Sequence, residues 1–296
     1  MDIIITGATS FLGKSLVNLY LKKGDHVYAI GRRMNNPFPK EVDYISLDIK
    51  DYSQISNRVR HCDVFINLAW MGTSHEDRLN PELQESNVKY SLEAIFEAKK
   101  LGCKVFIESG SQAEYGIRES STAEIDTCNP VSEYGKAKLK LQREASKLCT
   151  ELGMSYIHTR IFSLIGENDH DWTLVMYAIS KMKKNEELLL TKCTQSWNFL
   201  YVEDAATMIY NIGNHFVSSP VPVQEIFNIA SDDTRPLKDF VNEIMSMIDT
   251  KSHIRFGAID SSRTVALIPD ITKYINTIGV IQFTPFKTII EKIINK

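Results

Sequence analysis

The sequence has no paired cysteine motif and no long apolar run. Its five cysteines lie far apart and none belongs to a Cys-x-x-Cys pair, which is typical of buried thiols in a reduced cytosolic protein. No apolar stretch approaches the roughly 18 to 20 residues that a membrane-spanning helix needs. The first residues also lack the basic and long apolar segments of a signal peptide. We therefore expect a cytoplasmic protein that is not embedded in a membrane.

An excess of charge of one sign is also missing. Lys and Arg number 34 and Asp and Glu 37, which gives a net charge of −3, and no basic stripe is present. Nucleic acid is therefore not an expected partner. No internal repeat or flexible linker interrupts the chain, whose 43% hydrophobic residues are ordinary for a globular protein. A chain of this length can bury one large core or two joined cores.

Short β-branched runs alternate with helical patterns in the first half of the chain. The predicted strands are Ile3–Ile5, His26–Ile30, Asp43–Leu47, Val64–Leu68, Lys104–Glu108 and Ser155–Ile161. The predicted helices are Leu12–Lys22, Tyr52–Arg60, Pro81–Lys100 and Glu133–Leu152, several of them closed by Gly24, Gly102 or Gly153. This alternation predicts an α/β fold with a doubly wound parallel sheet of the Rossmann type.

After about Gly166 the alternation weakens into short helices, short strands and turns punctuated by proline. We interpret this part as a smaller, mixed α/β substrate-binding lobe. The expected division assigns residues 1–165 and about 198–215 to the dinucleotide-binding domain, and about 166–197 and 216–296 to the lobe. A cleft between the two would be the natural ligand site.

The first strand runs directly into the loop Thr6-Gly7-Ala8-Thr9-Ser10-Phe11-Leu12-Gly13 and then into a helix. Backbone N–H groups and the helix dipole bind a pyrophosphate in this setting. Ser10 stands where the usual pattern has a glycine. The alternative is an ordinary turn between a strand and a helix.

Two arginines, Arg32 and Arg33, follow the second strand, where a carboxylate would hold the ribose hydroxyls of NAD. A guanidinium group instead suits a 2′-phosphate, because it forms bidentate charge-assisted bonds. NADP is therefore favoured over NAD, although both arginines could also be solvated loop residues. Asp48, after the third strand, is expected near the adenine edge.

Tyr134 and Lys138 are four residues apart at the start of a predicted helix and therefore share one face. A lysine beside a phenol favours the phenolate and makes the tyrosine a competent acid or base. Ser111 follows the fifth strand, at the sheet edge where ligands bind in such folds. These three residues are the predicted catalytic group.

The whole series of motifs resembles the extended short-chain dehydrogenase/reductases, the group of nucleotide-sugar epimerases, dehydratases and reductases. The motifs in chain order are TGATSFLG, Asn67-Leu68-Ala69, Asn87, SGSQAEYG, YGKAK, the segment Thr159–Gly166 and the segment Trp197–Asp204. The resemblance implies that Tyr134 is the acid or base, that Lys138 is its partner and also holds the nicotinamide ribose, and that Ser111 donates a hydrogen bond to the reacting oxygen.

The resemblance also implies further contacts. Predicted to bind the cofactor are Gly7, Thr9, Ser10, Phe11, Leu12, Gly13, Arg32, Arg33, Asp48, Ile49, Leu68, Ala69, Ser109, Tyr134, Lys138 and Leu164. Predicted to bind the substrate are Trp70, Ser111, Gln112, Ser163 and Trp197, although Trp70 could equally fill the core. Ser163 and Trp197 depart from the asparagine and arginine that many members have. No metal is expected, and Asn168–Trp172 is interpreted as a surface loop. A homodimer formed through the two long helices is expected.

The two residues that follow Ser111 in the sequence distinguish between the reactions of the family. Dehydrating and decarboxylating members have a carboxylate in the next two positions, whereas this chain has Gln112 and Ala113. Glu114 comes one residue too late, and we interpret it and the strand residue Arg160 as structural. The resemblance then favours NADPH-dependent reduction of the C4 ketone of a nucleotide-linked 4-keto-6-deoxyhexose in deoxysugar and polysaccharide synthesis. A nucleotide-sugar epimerase and a non-catalytic dinucleotide sensor remain alternatives.

Overall fold

The computed structural model describes residues 1–260 and 265–296, and its centre is a seven-stranded parallel sheet. From one edge to the other the strands are β3 (Asp43–Ser46), β2 (His26–Gly31), β1 (Asp2–Thr6), β4 (Val64–Asn67), β5 (Val105–Ser111), β6 (Ser155–Ile161) and β10 (Gln224–Ile229). The strand order reverses between β1 and β4. This is the doubly wound Rossmann-type sheet that the sequence predicts, and ligands bind such sheets at the reversal point.

Helices cover both faces of the sheet. The long ones are α1 (Phe11–Lys22), α2 (Pro81–Lys100), α3 (Glu133–Leu152) and α5 (Val202–Val217). Successive residues of β1 point to opposite faces of the sheet. Ile3 and Ile5 pack in the core with α1 and α5, and Ile4 packs in the core with α2 and α3. A sheet buried on both faces requires continuous apolar strands, which is what the sequence has.

Three of the four predicted helices of the first half are confirmed, and one is wrong. The segment predicted as a helix over Tyr52–Arg60 forms a 3-10 helix over Ile49–Asn57, and Asp48 caps it by accepting a hydrogen bond from the Lys50 N–H at 3.2 Å. The segment contains β-branched isoleucine together with Ser, Asp and Asn. All of these residues disfavour an α-helix, because isoleucine loses side-chain freedom there and the polar side chains bond nearby backbone groups in other conformations. The apolar spacing alone does not separate the two helix types.

The rest of the chain forms smaller sheets and helices. Three strands pair as β11 (Thr234–Pro236), β9 (Ser196–Tyr201) and β7 (Ser163–Ile165), and two pair as β12 (Ile254–Phe256) and β8 (Leu188–Leu190). The remaining helices are α4 (Leu174–Lys183), α6 (Leu237–Ser246), α7 (Thr272–Thr277) and α8 (Phe286–Ile294). The rings of Phe199, Phe240 and Phe286 pack together, with centroids 4.7 to 5.9 Å apart. No described helix is long and apolar enough to cross a bilayer.

The structure places two segments differently from the expected domain division. The strand β10, assigned to the lobe, pairs with β6 and completes the main sheet. The strand β9, of which residues 198–201 were assigned to the dinucleotide domain, belongs to the three-stranded sheet. A short strand carries no sequence signal for its partner, because pairing is decided by tertiary contacts.

A histidine bridges two aspartates at the amino ends of adjacent strands. The His26 ring of β2 bonds Asp2 of β1 through Nδ1 and Asp43 of β3 through Nε2, each at 2.9 Å. The hydrogen bond to Asp2 raises the pKa of His26 most, and the bond to Asp43 raises it further against the opposing effect of burial. The protonated ring therefore ties three strands together.

We predict that His26→Gln loses stability mainly at acidic pH. A group whose pKa is raised by folding contributes its full stability below the unfolded-state value of about 6.5 and loses it as pH rises through the folded-state pKa. The ring is 43% exposed, so solvent screening keeps the effect at about 1 kcal/mol or less. Urea denaturation across a pH series measures it, with the exposed His215→Gln as control. A difference independent of pH would contradict the assignment.

Candidate active site

The turn after β1 has two glycines that no other residue could replace without movement. Gly7 has φ +63°, and a Cβ there would lie 2.9 Å from the backbone nitrogen of Ala69. A Cβ on Gly13 would lie 2.3 Å from the Gly7 carbonyl oxygen. The first turn of α1 therefore packs directly on the loop, and the loop packs on the end of β4.

Ser10 is the N-cap of α1. Its hydroxyl accepts a hydrogen bond from the Gly13 N–H at 3.1 Å, and its own N–H donates to the Gly7 carbonyl at 2.9 Å. Its backbone is extended, with φ −71° and ψ 173°, a conformation open to any residue. The serine in place of a glycine is thus accommodated without strain, and it uses one of the free N–H groups of the helix start.

A cleft of about 800 Å³ opens above this loop. Among the residues predicted to bind the cofactor, those that line it are Gly7, Thr9, Ser10, Phe11, Arg32, Arg33, Ile49, Leu68 and Ala69. Lys14, one residue after Gly13, also lines the cleft and was not predicted. Lys14 and the exposed Arg32 and Arg33 are three of the basic residues in the lining of the cleft.

Other residues predicted to bind the cofactor have different surroundings. Asp48 caps the 3-10 helix, and Leu12 is buried in the core. Ser109 offers its carbonyl to Lys138, and Leu164 pairs with Leu200 in the small sheet. These positions lie outside the lining of the cleft, so their cofactor contacts stay predictions.

The end of β5 turns sharply at Ser111. The Ser111 hydroxyl accepts from the Ala113 N–H at 3.2 Å, and the Ser111 N–H donates to the Glu114 carboxylate at 2.8 Å, forming a capping box. Because the hydroxyl oxygen accepts here, its proton remains available to a neighbour. The turn therefore fixes Ser111 as a donor at the sheet edge.

Glu114 is a structural carboxylate, as the sequence predicts. It is fully buried, and it accepts from His158 Nε2 at 2.9 Å and from Arg160 Nε at 3.0 Å. Burial by itself would raise the pKa of Glu114, but His158 and Arg160 outweigh burial and hold that pKa below its usual value. The structural role predicted for Arg160 is confirmed, because it bonds the Glu114 carboxylate and the Glu124 carbonyl.

Tyr134 lies in the first turn of α3, next to the Ser111 turn. A Cβ on the neighbouring Gly135 would lie 2.5 Å from the Ala113 carbonyl oxygen, so α3 begins in close contact with this turn. The Tyr134 side chain is 9% exposed. Burial raises the pKa of its phenol most, while the charge of Arg78 and, to a smaller extent, the neighbouring Ser111 lower it. The structure therefore brings Ser111 and Tyr134 together.

Lys138 is buried one turn further along α3. Its Nζ donates to the Ser109 carbonyl at 2.5 Å and lies 3.8 Å from Glu108 Oε1. Burial lowers the pKa of Lys138 to about 8 and raises the pKa of Glu108 to about 7. Burial disfavours the charged form of each group, because water cannot hydrate it there. The attraction between opposite charges acts against burial, so each group favours the charged form of the other.

Glu108 was not predicted, although a carboxylate inside an otherwise apolar strand was a usable signal. Its Oε2 accepts from Asn67 Nδ2 at 2.8 Å, and the Asn67 carbonyl accepts from the Thr6 hydroxyl at 2.6 Å. The Oε1 atom has no hydrogen-bond partner among the described residues and faces Lys138. Lys138 is therefore joined to the end of β1 by a chain of buried polar groups.

Trp70 lies against both the cleft and two of the predicted catalytic residues. It lines the cleft, its ring centroid lies 3.5 Å from Lys138 Nζ, and its ring lies edge-on to Tyr134 at 5.9 Å. Its Nε1–H donates to Gln84 Oε1 of α2 at 2.7 Å. Trp70 thus forms part of the site wall, and Arg78, which was not predicted, lies over the Tyr134 ring.

Of the other predicted substrate residues, Ser163 and Trp197 lie in the three-stranded sheet, whereas Gln112 follows the main sheet. Gln112 begins the turn after β5, and Ser163 pairs with Phe199. Trp197 packs near Phe199, and its buried Nε1 has no hydrogen-bond partner among the described residues. Arg235, across the sheet from Trp197, is bonded to Glu243 at 2.6 Å and is therefore already paired.

Comparisons with known proteins agree with this geometry. The CDP-abequose synthase of Salmonella muenchen is 25% identical over 252 residues, which are 78% of this chain and 80% of that protein. The dTDP-6-deoxy-L-talose 4-dehydrogenase (NAD(+)) of Aggregatibacter actinomycetemcomitans is 26% identical over 259 residues, 83% of this chain and 90% of that protein.

The fold has solved counterparts as well. The UDP-glucuronic acid 4-epimerase from Bacillus cereus, solved in complex with NAD, superposes with a TM-score of 0.81 at 18% identity, covering 100% of this chain and 96% of that one. A family model described as the NAD dependent epimerase/dehydratase family matches residues 3–230. That match spans most of the sequence and includes the glycine loop, Ser111, Tyr134 and Lys138, so the chain belongs to the NAD dependent epimerase/dehydratase family.

Proposed function

We propose that this protein uses NADPH to reduce the C4 ketone of a nucleotide-linked 4-keto-6-deoxyhexose. The observation that carries the proposal is the packing of the start of α3, which bears Tyr134 and the buried Lys138, against the Ser111 turn, at the end of a sheet whose cleft begins at a glycine loop. The similarity to a CDP-abequose synthase and a dTDP-6-deoxy-L-talose 4-dehydrogenase supports a substrate of the nucleotide-deoxysugar class.

The cleft fits a dinucleotide phosphorylated on its adenosine ribose. The start of α1 and the loop at Gly7 suit the pyrophosphate, because the helix dipole and free N–H groups favour an anion there. Arg32, Arg33 and Lys14 line the same cleft and suit the additional 2′-phosphate.

The chain's own groups can handle the proton of the reduction. NADPH supplies the hydride to the ketone carbon when it is bound. Tyr134 donates its phenolic proton to the ketone oxygen, and Ser111 donates a hydrogen bond to the same oxygen while negative charge develops on it. Lys138 stands four residues after Tyr134 and favours the resulting phenolate.

The surroundings of Ser111 argue against dehydration. Removing a proton beside the ketone needs a free base next to the substrate, a carboxylate in the dehydrating members. Glu114 is buried and bonded to His158 and Arg160, and Glu108 is buried against Lys138. Gln112 and Ala113 cannot act as bases. A net reduction is the chemistry that the remaining groups support.

The proposal is tested by following NADPH absorbance with purified protein and 4-keto-6-deoxyhexoses linked to dTDP, CDP, GDP and UDP. We expect rapid oxidation with one nucleotide, and protein that releases its dinucleotide during purification. An epimerase would instead retain bound dinucleotide and interconvert sugars without net oxidation. A protein that binds NADPH but converts no sugar in the panel would favour a dinucleotide sensor.

We predict that Tyr134→Phe retains NADPH binding and loses most turnover. Removing a general acid lowers kcat about 100-fold to 10,000-fold, whereas the dissociation constant for NADPH should change little. Single-turnover kinetics and fluorescence titration of NADPH measure the two quantities. Tyr90→Phe, which removes the same hydroxyl from α2 outside the site, is the matched control. Undiminished turnover would remove Tyr134 from the mechanism.

We also predict that replacing Arg32 and Arg33 with alanine raises the KM for NADPH about 10-fold or more. The KM for NADH should hardly change, because NADH lacks the 2′-phosphate. Arg58→Ala, an exposed arginine at the end of the 3-10 helix, controls for general loss of positive charge. Equal changes in both KM values would show that the two arginines do not recognise the phosphate.

A further inference from the structure

The ring of Tyr134 is contacted by a cation that is not Lys138. The guanidinium carbon of Arg78 lies 4.7 Å from the centroid of the Tyr134 ring. This distance is within the range of a cation–π interaction. Arg78 belongs to the 3-10 turn Asp77–Leu79, in the connection between β4 and α2, so it reaches the tyrosine from a different element than the lysine does.

The segment that carries Arg78, residues 72–80, is anchored to α2. Gln84 Nε2 donates to the carbonyls of Gly72 and Asp77, each at 2.9 Å, and Asn80 Oδ1 accepts from the Leu83 N–H at 3.1 Å. Gly72 has φ +70°, and a Cβ there would lie 2.3 Å from Leu83 Cδ2. Both ends of the segment are therefore fixed, which holds the backbone of Arg78 beside Tyr134.

Lys138 has an anionic partner of its own. Its Nζ lies 3.8 Å from Glu108 Oε1, and both side chains are almost fully buried. A buried pair of opposite charges produces a much weaker field at a distance than a single charge does. Lys138 together with Glu108 is therefore a modest source of positive potential for Tyr134.

The other charged groups around Tyr134 include two carboxylates, which make the potential at its phenol still less positive. Glu108 of β5 and Glu114 of the turn after β5 both raise the pKa of the Tyr134 phenol, which burial raises most. Glu114 is itself paired with His158 and Arg160. Among the cations, it is Arg78 whose charge lowers that pKa most clearly.

We infer that Arg78 is a positioning residue that stabilises the phenolate of Tyr134. It does so from the connection between β4 and α2, not from the helix α3 that carries Tyr134 and Lys138. The inference rests on the proposed function, because it assigns Arg78 to the proton transfer of that reaction. In the reduction, the phenolate forms as the phenol gives its proton to the ketone oxygen. Arg78 then interacts with a full negative charge rather than with the ring alone, so it favours the transition state over the ground state.

The experiment compares Arg78→Met, which keeps a long side chain against the ring, with Arg78→Lys, which keeps the charge. We expect Arg78→Met to lower kcat about 3-fold to 30-fold and to move the pH dependence of both reduction and the reverse oxidation to higher pH. Arg78→Lys should restore part of the rate and of the pH dependence. Lys89→Met is the matched control, because Lys89 lies 5.7 Å from the Tyr90 ring on α2 outside the site.

A second measurement needs no sugar substrate. NMR of isotope-labelled tyrosine follows the ionisation of Tyr134, with Tyr134→Phe assigning its signal. We expect the titration to move to higher pH in Arg78→Met and to stay in place in Lys89→Met. An unchanged titration in Arg78→Met would overturn the role of Arg78, even if the variant turned over slowly. If no sugar of the panel is reduced but the titration moves, the proposed reaction fails while the electrostatic role of Arg78 stands.

Discussion

The buried ammonium group of Lys138 is the constraint on which the site depends. A charge without water needs a partner, and Glu108 supplies it at 3.8 Å from the interior of β5. Glu108 in turn is bonded to Asn67 of β4, which is bonded to Thr6 of β1. Three neighbouring strands are thereby connected, and the chain of polar groups ends where the glycine loop begins. The helix α3 and the glycine loop are positioned by the same buried network.

The fold of the first half was readable because two periodicities alternate there. Short β-branched runs between helical patterns predicted six strands of the main sheet, and Gly153, predicted to close a helix, is the C-cap of α3. The pairing of β10 was not readable, since a strand of six residues carries no information about its neighbour. The 3-10 segment after β3 was misread for a related reason: its apolar positions suit either type of helix.

Some residues of the candidate site could be predicted from the sequence and others could not. Ser111, Tyr134, Lys138 and the glycine loop are local in sequence or follow a strand directly, so pattern and resemblance found them. Glu108 and Arg78 act through space, and nothing nearby in sequence marks their partners. Lys14 was missed although it is adjacent to Gly13, because a lysine in the first turn of a helix is usually a solvated residue. Contacts between distant elements, rather than motifs, required the structure.

The position of Trp70 has a spectroscopic consequence. An indole ring is an intrinsic fluorophore, and this one lies with its face 3.5 Å from an ammonium group while also lining the cleft. The chain has only two other tryptophans: Trp172 stacks on His170, and Trp197 packs in the smaller lobe. Emission from Trp70 should therefore respond to the charge of Lys138 and to energy transfer toward a reduced nicotinamide. The fluorescence of Trp70 therefore reports whether the cleft is occupied.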